Sequence, residues 1–288
     1  MPENVQYCPL CHHETSRSFD TRQFRGHTVS NRVCAHCGLV YQSPRMTAAE
    51  LDEFYAAEYR QVYQGEPGPI LKDLQAQKGR AASLLEFVSA SVPEVNRHLD
   101  IGCSAGILLT TFRDHYGDQP LGVEPGDSYR GYAQSQGLTI HADIADLPSN
   151  EPRVDLISMA HVLEHLPDPV GYLASLREKH LAPHGWLLLE VPNLYCHDSF
   201  EIAHLTSFSA HTLRQTVEQA GYEVVKLEAH GRPRSELLPL YLTLLARSAN
   251  DGMVHPLQSE GNVAFKRRLG LLRRRVVQKL FPKKAWIA

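Results

Sequence analysis

The apolar pattern turns on one stretch. His98-Leu99-Asp100-Ile101 is a short apolar run that breaks at Gly102-Cys103-Ser104-Ala105-Gly106 and resumes at helical spacing with Ile107, Leu108 and Leu109. This predicts a buried strand, a tight loop and a helix N-terminus. Four further buried strands follow: Pro120–Val123 ending at Glu124, Leu138–His141 running into Asp143, Val154–Ala160 running into His161, and His184–Pro192, preceded by a helix at about 169–181 and stopped by Pro192. Ser209 caps another helix, through Leu213, Val217 and Ala220, which Gly221 ends. Runs at 223–227 and 238–245 raise the strand count to seven. Upstream, Thr47-Ala48-Ala49-Glu50 reads as a capping box opening a helix through Leu51, Phe54 and Tyr55. Beyond the break at 65–69, Leu71, Leu74, Ala81, Leu84, Leu85 and Val88 share one face of a longer helix. Nearer the start, Phe19, Phe24, Val29 and Val33 alternate with polar residues as short hairpin strands do. Near the other end, Phe265, Leu269, Leu272, Val276 and Leu280 recur at helical spacing among Arg and Lys.

Composition adds little to this picture until it is divided. With 288 residues, 43% of them hydrophobic, and a net charge of −3, the chain has ample length for two domains of an ordinary globular protein. No apolar run has the roughly 20 residues that a membrane span needs, and the first residues lack the basic and apolar regions of a leader, so a cytoplasmic location is expected. The near-neutral total hides residues 263–288, which hold nine Lys or Arg and no acid. A basic amphipathic helix with Trp286 near its end predicts peripheral contact with an anionic membrane face, or a solvated helix packed on its own domain. RNA and partner docking are the lesser readings.

Four of the six cysteines form two Cys-x-x-Cys pairs, Cys8/Cys11 and Cys34/Cys37, separated by 22 residues. That spacing suits a tetrahedral zinc site of four cysteines, with each pair on a tight turn. A cytosolic chain disfavours disulfides, and four thiolates leave no open coordination position, so the expected zinc is structural and stabilises a segment too small to fold on its core alone. The remaining cysteines, Cys103 and Cys196, read as small buried residues rather than nucleophiles. Arg17, Arg22, Arg25 and Arg32 mix here with Glu14 and Asp20, and this small excess of charge favours a scaffold over a nucleic-acid reader.

Glycine at 102 and 106 allows the backbone to approach a ligand, the helix start offers unpaired N–H groups, and Glu124 stands where a doubly wound sheet places the acid for ribose hydroxyls. Asp100-x-Gly102-x-x-x-Gly106, Glu124, Asp143 with Leu147-Pro148, and Val162-Leu163-Glu164-His165-x-x-Asp168-Pro169 occur in this order. With these elements, residues 96–246 resemble the class I S-adenosylmethionine-dependent methyltransferases. The resemblance implies an α/β, Rossmann-like seven-stranded methyltransferase fold with S-adenosyl-L-methionine as cofactor. Asp100 and Gly102 would face the methionine moiety, Cys103 and Gly106 would belong to the same cofactor-binding loop, Glu124 would face the ribose, Asp143 the adenine amino group, and Ala160 with His161 the methyl-donor side. Ser104 departs from the pattern, since many members carry glycine there. A zinc-binding module ahead of this core is characteristic of sugar C-methyltransferases and related glycan-modifying enzymes, so the expected substrate is a small molecule, a nucleotide-linked sugar or glycan.

The expected organisation is a zinc ribbon over 1–45, a helical linker or lid over 46–95, the cofactor-binding domain over 96–250 and a basic tail over 251–288. In related enzymes the second segment covers the cofactor pocket; Tyr55, Tyr59 and Tyr63 there read as packing, or as acceptor lining. Methyl transfer from a sulfonium is an in-line displacement, so alignment dominates, and a hydroxyl or carbon acid acceptor also requires a base. His204 matches the histidine of the Glu-His-x-x-x-Phe-Ser segment of sugar C-methyltransferases, their proposed base; alternatively it binds substrate or caps a helix. Ala203 stands where that family has glutamate, which leaves O- and C-methylation both open. His161 and His165 would stack on one face if helical, and a metal reading with Glu164 is the minor one; His161 lining the cofactor pocket and His165 packing structurally are preferred. The rivals are an RNA or protein methyltransferase that uses the ribbon to recognise its polymer, and a binding protein that retains the cofactor without turnover.

Overall fold

In the computed structural model, which describes residues 2–54, 68–249 and 256–287, the alternating residues between the cysteine pairs become a hairpin of β1 (Ser16–Phe24) and β2 (His27–Cys34). β3 (Val40–Gln42) extends it. The fourth strand of this sheet comes from far along the chain: β9 (Thr206–Ser207) pairs with β3, so the ribbon and the loop that carries His204 share hydrogen bonds. Thr47 and Glu50 form the expected capping box at α1 (Ala48–Glu53). α2 (Leu71–Ser89) buries Ala81, Leu84, Phe87 and Val88. Tyr55, Tyr59 and Tyr63 lie outside the described residues.

The seven expected strands form one sheet in the order β10-β11-β8-β7-β4-β5-β6. Here β4 (Arg97–Ile101), β5 (Gln119–Val123), β6 (Thr139–His141), β7 (Val154–Ala160) and β8 (Leu181–Pro192) run parallel. β11 (Tyr241–Ser248) lies antiparallel between β8 and β10 (Tyr222–His230). The last strand starts at Tyr241 rather than at Leu238, because Pro239 brings no amide hydrogen to a ladder. α3 (Ile107–Tyr116), α4 (Asp127–Ser135), α5 (Pro169–Lys179) and α6 (Ala210–Gln219) connect the strands.

Alternation along the strands divides the core between the two faces of the sheet. Leu99, Ile157, Leu187 and Leu189 join one apolar cluster, which extends to Leu39, Tyr41 and the knuckle cysteines, while Leu156, Leu188 and Leu245 join Leu84, Phe87 and Val88 of α2 on the other. β4 is flanked by β5 on one side and β7 on the other, so the chain order reverses there. An open α/β sheet binds ligands at such a switch point, beyond the carboxyl ends of its strands. No helix among the described residues is long and apolar enough to cross a membrane.

Candidate active site

Three adjacent strands set three carboxylates along the carboxyl edge of the sheet. Asp100, in β4, is buried and accepts from Ser158 Oγ at 2.6 Å. That oxygen lies 2.7 Å from His98 Nε2, which donates to it. Burial pushes the Asp100 carboxyl up to about 7, against the lowering effect of the Ser158 bond; burial likewise pulls His98 down to about 3, leaving it neutral. Glu124, just past β5, is also buried, and its two oxygens accept from Ser104 N–H and Gly126 N–H, each at 2.9 Å. Asp143, just past β6, is exposed and caps the short turn Ile144–Asp146 by accepting from Ala145 N–H at 2.8 Å.

The loop between β4 and α3 has positive φ at Gly102 (72°), Ser104 (52°) and Gly106 (73°). A Cβ on Gly102 would lie 2.5 Å from Val162 Cγ2, and one on Gly106 would lie 2.3 Å from Leu138 Cδ1. The protein's own packing therefore requires these glycines, in addition to the close backbone approach to a ligand that the sequence implied. Ser104 bears the left-handed strain that a middle glycine would avoid. Cys103 packs with Leu109, Ala133, Leu138 and Ile140, so its side chain belongs to the core.

These residues fit S-adenosylmethionine. The two Glu124 oxygens, held by the Ser104 and Gly126 amides, are acceptors of the kind to which ribose hydroxyls donate. The buried Asp100 carboxyl, held near neutrality, would be drawn back to its ionised form by a cationic group.

Beyond β7 the chain turns sharply at His161 (φ 58°), and residues 163–165 form a single 3-10 turn. His161 and His165 consequently diverge instead of stacking on one helix face. The His161 ring lies between two buried carboxylates, with Nδ1 3.3 Å from Glu164 and Nε2 3.3 Å from Glu190. Burial and Arg80 pull this histidine down, but the two carboxylates outweigh them and its net shift is upward. Glu164, opposed by burial but stabilised by His161, His165 and His204, is held down at about 2. Glu190 is lowered too: burial opposes ionisation, and His161, His230 and Arg80 overcome it. Arg80 Nε donates to Glu190 at 2.7 Å, and Thr243 Oγ donates to its other oxygen at 3.2 Å while lying 2.5 Å from His230 Nε2. Tyr241 forms the aromatic wall against His161, His197 and His230.

His165 turns to His204, with ring centroids 4.8 Å apart. His165 Nδ1 lies 2.9 Å from the Ala203 carbonyl and His204 Nδ1 2.8 Å from that of Ser199, so both rings donate through Nδ1 and carry their lone pairs on Nε2. Burial pulls His165 down to about 4, which keeps it neutral. Ligand atoms of Glu164, His165 and His204 lie within 4.8 Å of one another, close enough for one cation to reach all three.

A protein-family model for a methyltransferase domain matches residues 73–227, more than half of the chain. The chain belongs to the class I S-adenosylmethionine-dependent methyltransferases. Among relatives of this methyltransferase, the ubiquinone biosynthesis O-methyltransferase of Coxiella burnetii is 31% identical over 93 residues, which cover 30% of this chain and 39% of that protein. The dTDP-4-amino-2,3,4,6-tetradeoxy-D-glucose N,N-dimethyltransferase of Saccharopolyspora spinosa is 24% identical over 185 residues, 62% of this chain and 72% of that one. The solved 1,6-didemethyltoxoflavin-N1-methyltransferase of Burkholderia thailandensis, bound to its substrate and S-adenosylhomocysteine, superposes over 80% of this chain and 100% of its own with TM-score 0.58 and 18% identity. The [4+2]-cyclase SpnF covers 72% of this chain and 98% of its own, with TM-score 0.55 and 15% identity. At these identities the structures show the fold alone, and a methyltransferase and a cyclase sharing it illustrate that a fold does not fix a reaction.

Sequence reasoning missed Arg80, His197, His230, Tyr241 and Thr243, and assigned Glu190 only to a strand. One signal was available: a glutamate within Leu187-Leu188-Leu189-Glu190-Val191 is a charge in an apolar strand, and a buried charge needs partners. At the other end of the methyltransferase, Cys8, Cys11, Cys34 and Cys37 converge with Sγ separations of 3.6 Å (Cys8 to Cys37) and 3.5 Å (Cys11 to Cys34). All are unbridged, and the separations match thiolates about 2.3 Å from a common tetrahedral ion rather than disulfides. Crowding drives the thiols apart in protonation: hydrogen bonds from Cys37 and Cys8 pull Cys34 down, while those with Cys34 and Cys8 push Cys37 up. A divalent cation would remove this conflict.

Proposed function

We propose that this chain transfers a methyl group from S-adenosylmethionine to an oxygen or carbon of a small polar acceptor, a nucleotide-linked sugar or glycan, with His204 as the base and a structural zinc in the N-terminal ribbon. The observation that carries the reading is His204 itself: Nδ1–H is committed to the Ser199 carbonyl, which leaves the lone pair on Nε2 to take a proton, and the Glu164 carboxylate lies within 4.8 Å. The donor would rest on Asp100, Gly102, Gly106 and Glu124, with the Asp143 region toward the adenine and Ala160 and His161 toward the methyl. It supplies an activated methyl on a sulfonium. Arg80 and His161, whose side chains are each 24% exposed, offer hydrogen-bonding groups suited to a polyhydroxylated acceptor, with the buried Glu190 holding both in place. By its name, the Saccharopolyspora relative acts on a dTDP-linked sugar, which supports the acceptor class. The mixed charges of the ribbon argue against a polymer.

The test is incubation of the protein with labelled donor and separate pools of nucleotide sugars, lipid-linked glycans and RNA. Label is expected in a sugar pool; label in RNA alone refutes the acceptor class. His204→Ala is expected to lower kcat by about 10²–10⁴-fold with little change in donor affinity. Unchanged turnover at saturating acceptor removes His204 from the chemistry.

A further inference from the structure

The basic tail folds as α7 (Val263–Leu280), followed by the short α8 (Pro282–Ala285). Its attachment inverts the usual arrangement, in which an amphipathic helix docks through its apolar stripe. Val263 and Val277 pack at either end of the docked face, but its middle is polar. Arg267 is buried and donates to the carbonyls of Leu194 and His197 and, at 3.1 Å, to Asp198, while Arg274 donates to the Cys196 carbonyl at 3.0 Å. Between them Gly270 lies so close to Tyr195 that a Cβ there would be 1.8 Å from its carbonyl oxygen.

The apolar stripe is consequently left outside. Phe265, Leu269, Leu272, Val276 and Leu280 are 66%, 56%, 56%, 47% and 63% exposed. At 100° per residue they occupy one side of the helix, opposite Arg267, Gly270 and Arg274. Arg268, Arg275 and Lys279 border the stripe along one flank and Lys266 and Arg273 along the other, and all five are exposed. Phe281 and Trp286 continue the exposed apolar surface past the helix end.

We propose that this face of α7 lies on a lipid bilayer bearing anionic headgroups, with the five apolar side chains in the acyl boundary and the flanking cations on headgroup phosphates. An apolar stripe between two rows of cations is the pattern of a helix lying in the plane of a membrane interface. A second copy of the chain fits worse, because pairing the stripes would bring cationic flanks together with no acid on this segment to offset them. RNA would satisfy the cations and leave the stripe in water. The rest of the chain carries about −12, so an anionic surface attracts this segment alone and orients the molecule. α7 is fastened to 194–198, within the loop that leads to His204, so this orientation sets that loop behind α7, about one helix diameter of 10 Å from the bilayer surface. The inference holds whatever acceptor the site takes.

The test is flotation of the full chain with vesicles of phosphatidylglycerol and phosphatidylcholine, and with phosphatidylcholine alone. Binding is expected to the anionic vesicles, and to weaken at about 0.5 M salt, where screening shortens the reach of the cations. The double variant Leu269→Asp, Leu272→Asp should lose about tenfold or more of the partition coefficient, with its circular dichroism and thermal unfolding unchanged because both side chains are exposed. Replacing Arg268, Arg275 and Lys279 by Gln should also weaken binding. Absence of flotation at low salt overturns the proposal, as does equal binding to neutral vesicles. A concentration-dependent dimer abolished by the Asp pair, without vesicle binding, assigns the face to a second copy instead. RNA retention that survives the Asp pair but not the Gln triple, again without vesicle binding, assigns it to nucleic acid.

Discussion

Replacing Asp100 by Asn separates what the buried carboxyl costs the fold from what it does for the cofactor. Asn keeps an oxygen that can accept from Ser158 Oγ, and it is neutral, as the carboxyl is below its folded pKa. In the unfolded chain this carboxyl ionises near 3.9, whereas burial raises it to about 7 in the fold, and this difference corresponds to about 4 kcal/mol at most. The sign follows from which state holds the proton. Below about pH 4 both states are protonated and the side chain makes no pH-linked contribution. Between about pH 4 and 7 only the unfolded state releases its proton, so wild-type stability falls as pH rises; above about 7 the loss is complete. Urea titrations of wild type and Asp100→Asn at a series of pH values isolate this group, because every other titration cancels in the difference. The variant should match wild type near pH 4 and exceed it by up to about 4 kcal/mol at pH 8. Calorimetric titration with S-adenosylhomocysteine should show the reverse cost, weaker binding by the variant. A variant less stable than wild type at pH 8, or a stability difference that does not change with pH, would refute the reasoning.

Metal analysis should find one zinc per chain, and chelation should unfold β1–β3 under reducing conditions while the seven-stranded sheet persists; a metal-free ribbon that keeps its amide protection contradicts this. A second equivalent of metal, lost in His204→Ala, would place a cation among Glu164, His165 and His204. Glu190→Gln strands Arg80 without its buried counter-charge and leaves His161 with Glu164 alone. Because the Arg80 side chain is 24% exposed and can turn toward water, the loss should be about 3 kcal/mol, at the low end for breaking a buried pair, measured by urea unfolding. It should also lower the His161 pKa, followed by its NMR titration, since burial then faces one carboxylate fewer. Gly102→Ala meets both a φ of 72° and Val162, so a loss of at least about 1–2 kcal/mol is expected together with weaker cofactor binding.

The chain order of elements was legible because each rests on short-range physics. Period-2 and period-3.6 patterns, the caps at Thr47 and Ser209 and the two Cys-x-x-Cys turns need only neighbouring residues, and they yielded the hairpin, the seven strands and the cysteine cluster. Asp100, Glu124 and Asp143 were legible for a related reason: each stands at or just past the end of a parallel strand, and such ends line one edge of a doubly wound sheet. What only the tertiary structure decided is which distant groups meet. Arg80 and Glu190 are 110 residues apart, and β9 joins the ribbon's sheet from far along the chain. A positive φ at His161 sends His161 toward Glu190 and His165 toward His204, although their spacing alone stacks them. The tail makes the same point. Periodicity fixes that α7 has an apolar and a basic side, but the side that faces water depends on the carbonyls the rest of the fold presents to Arg267 and Arg274, and no local pattern encodes that.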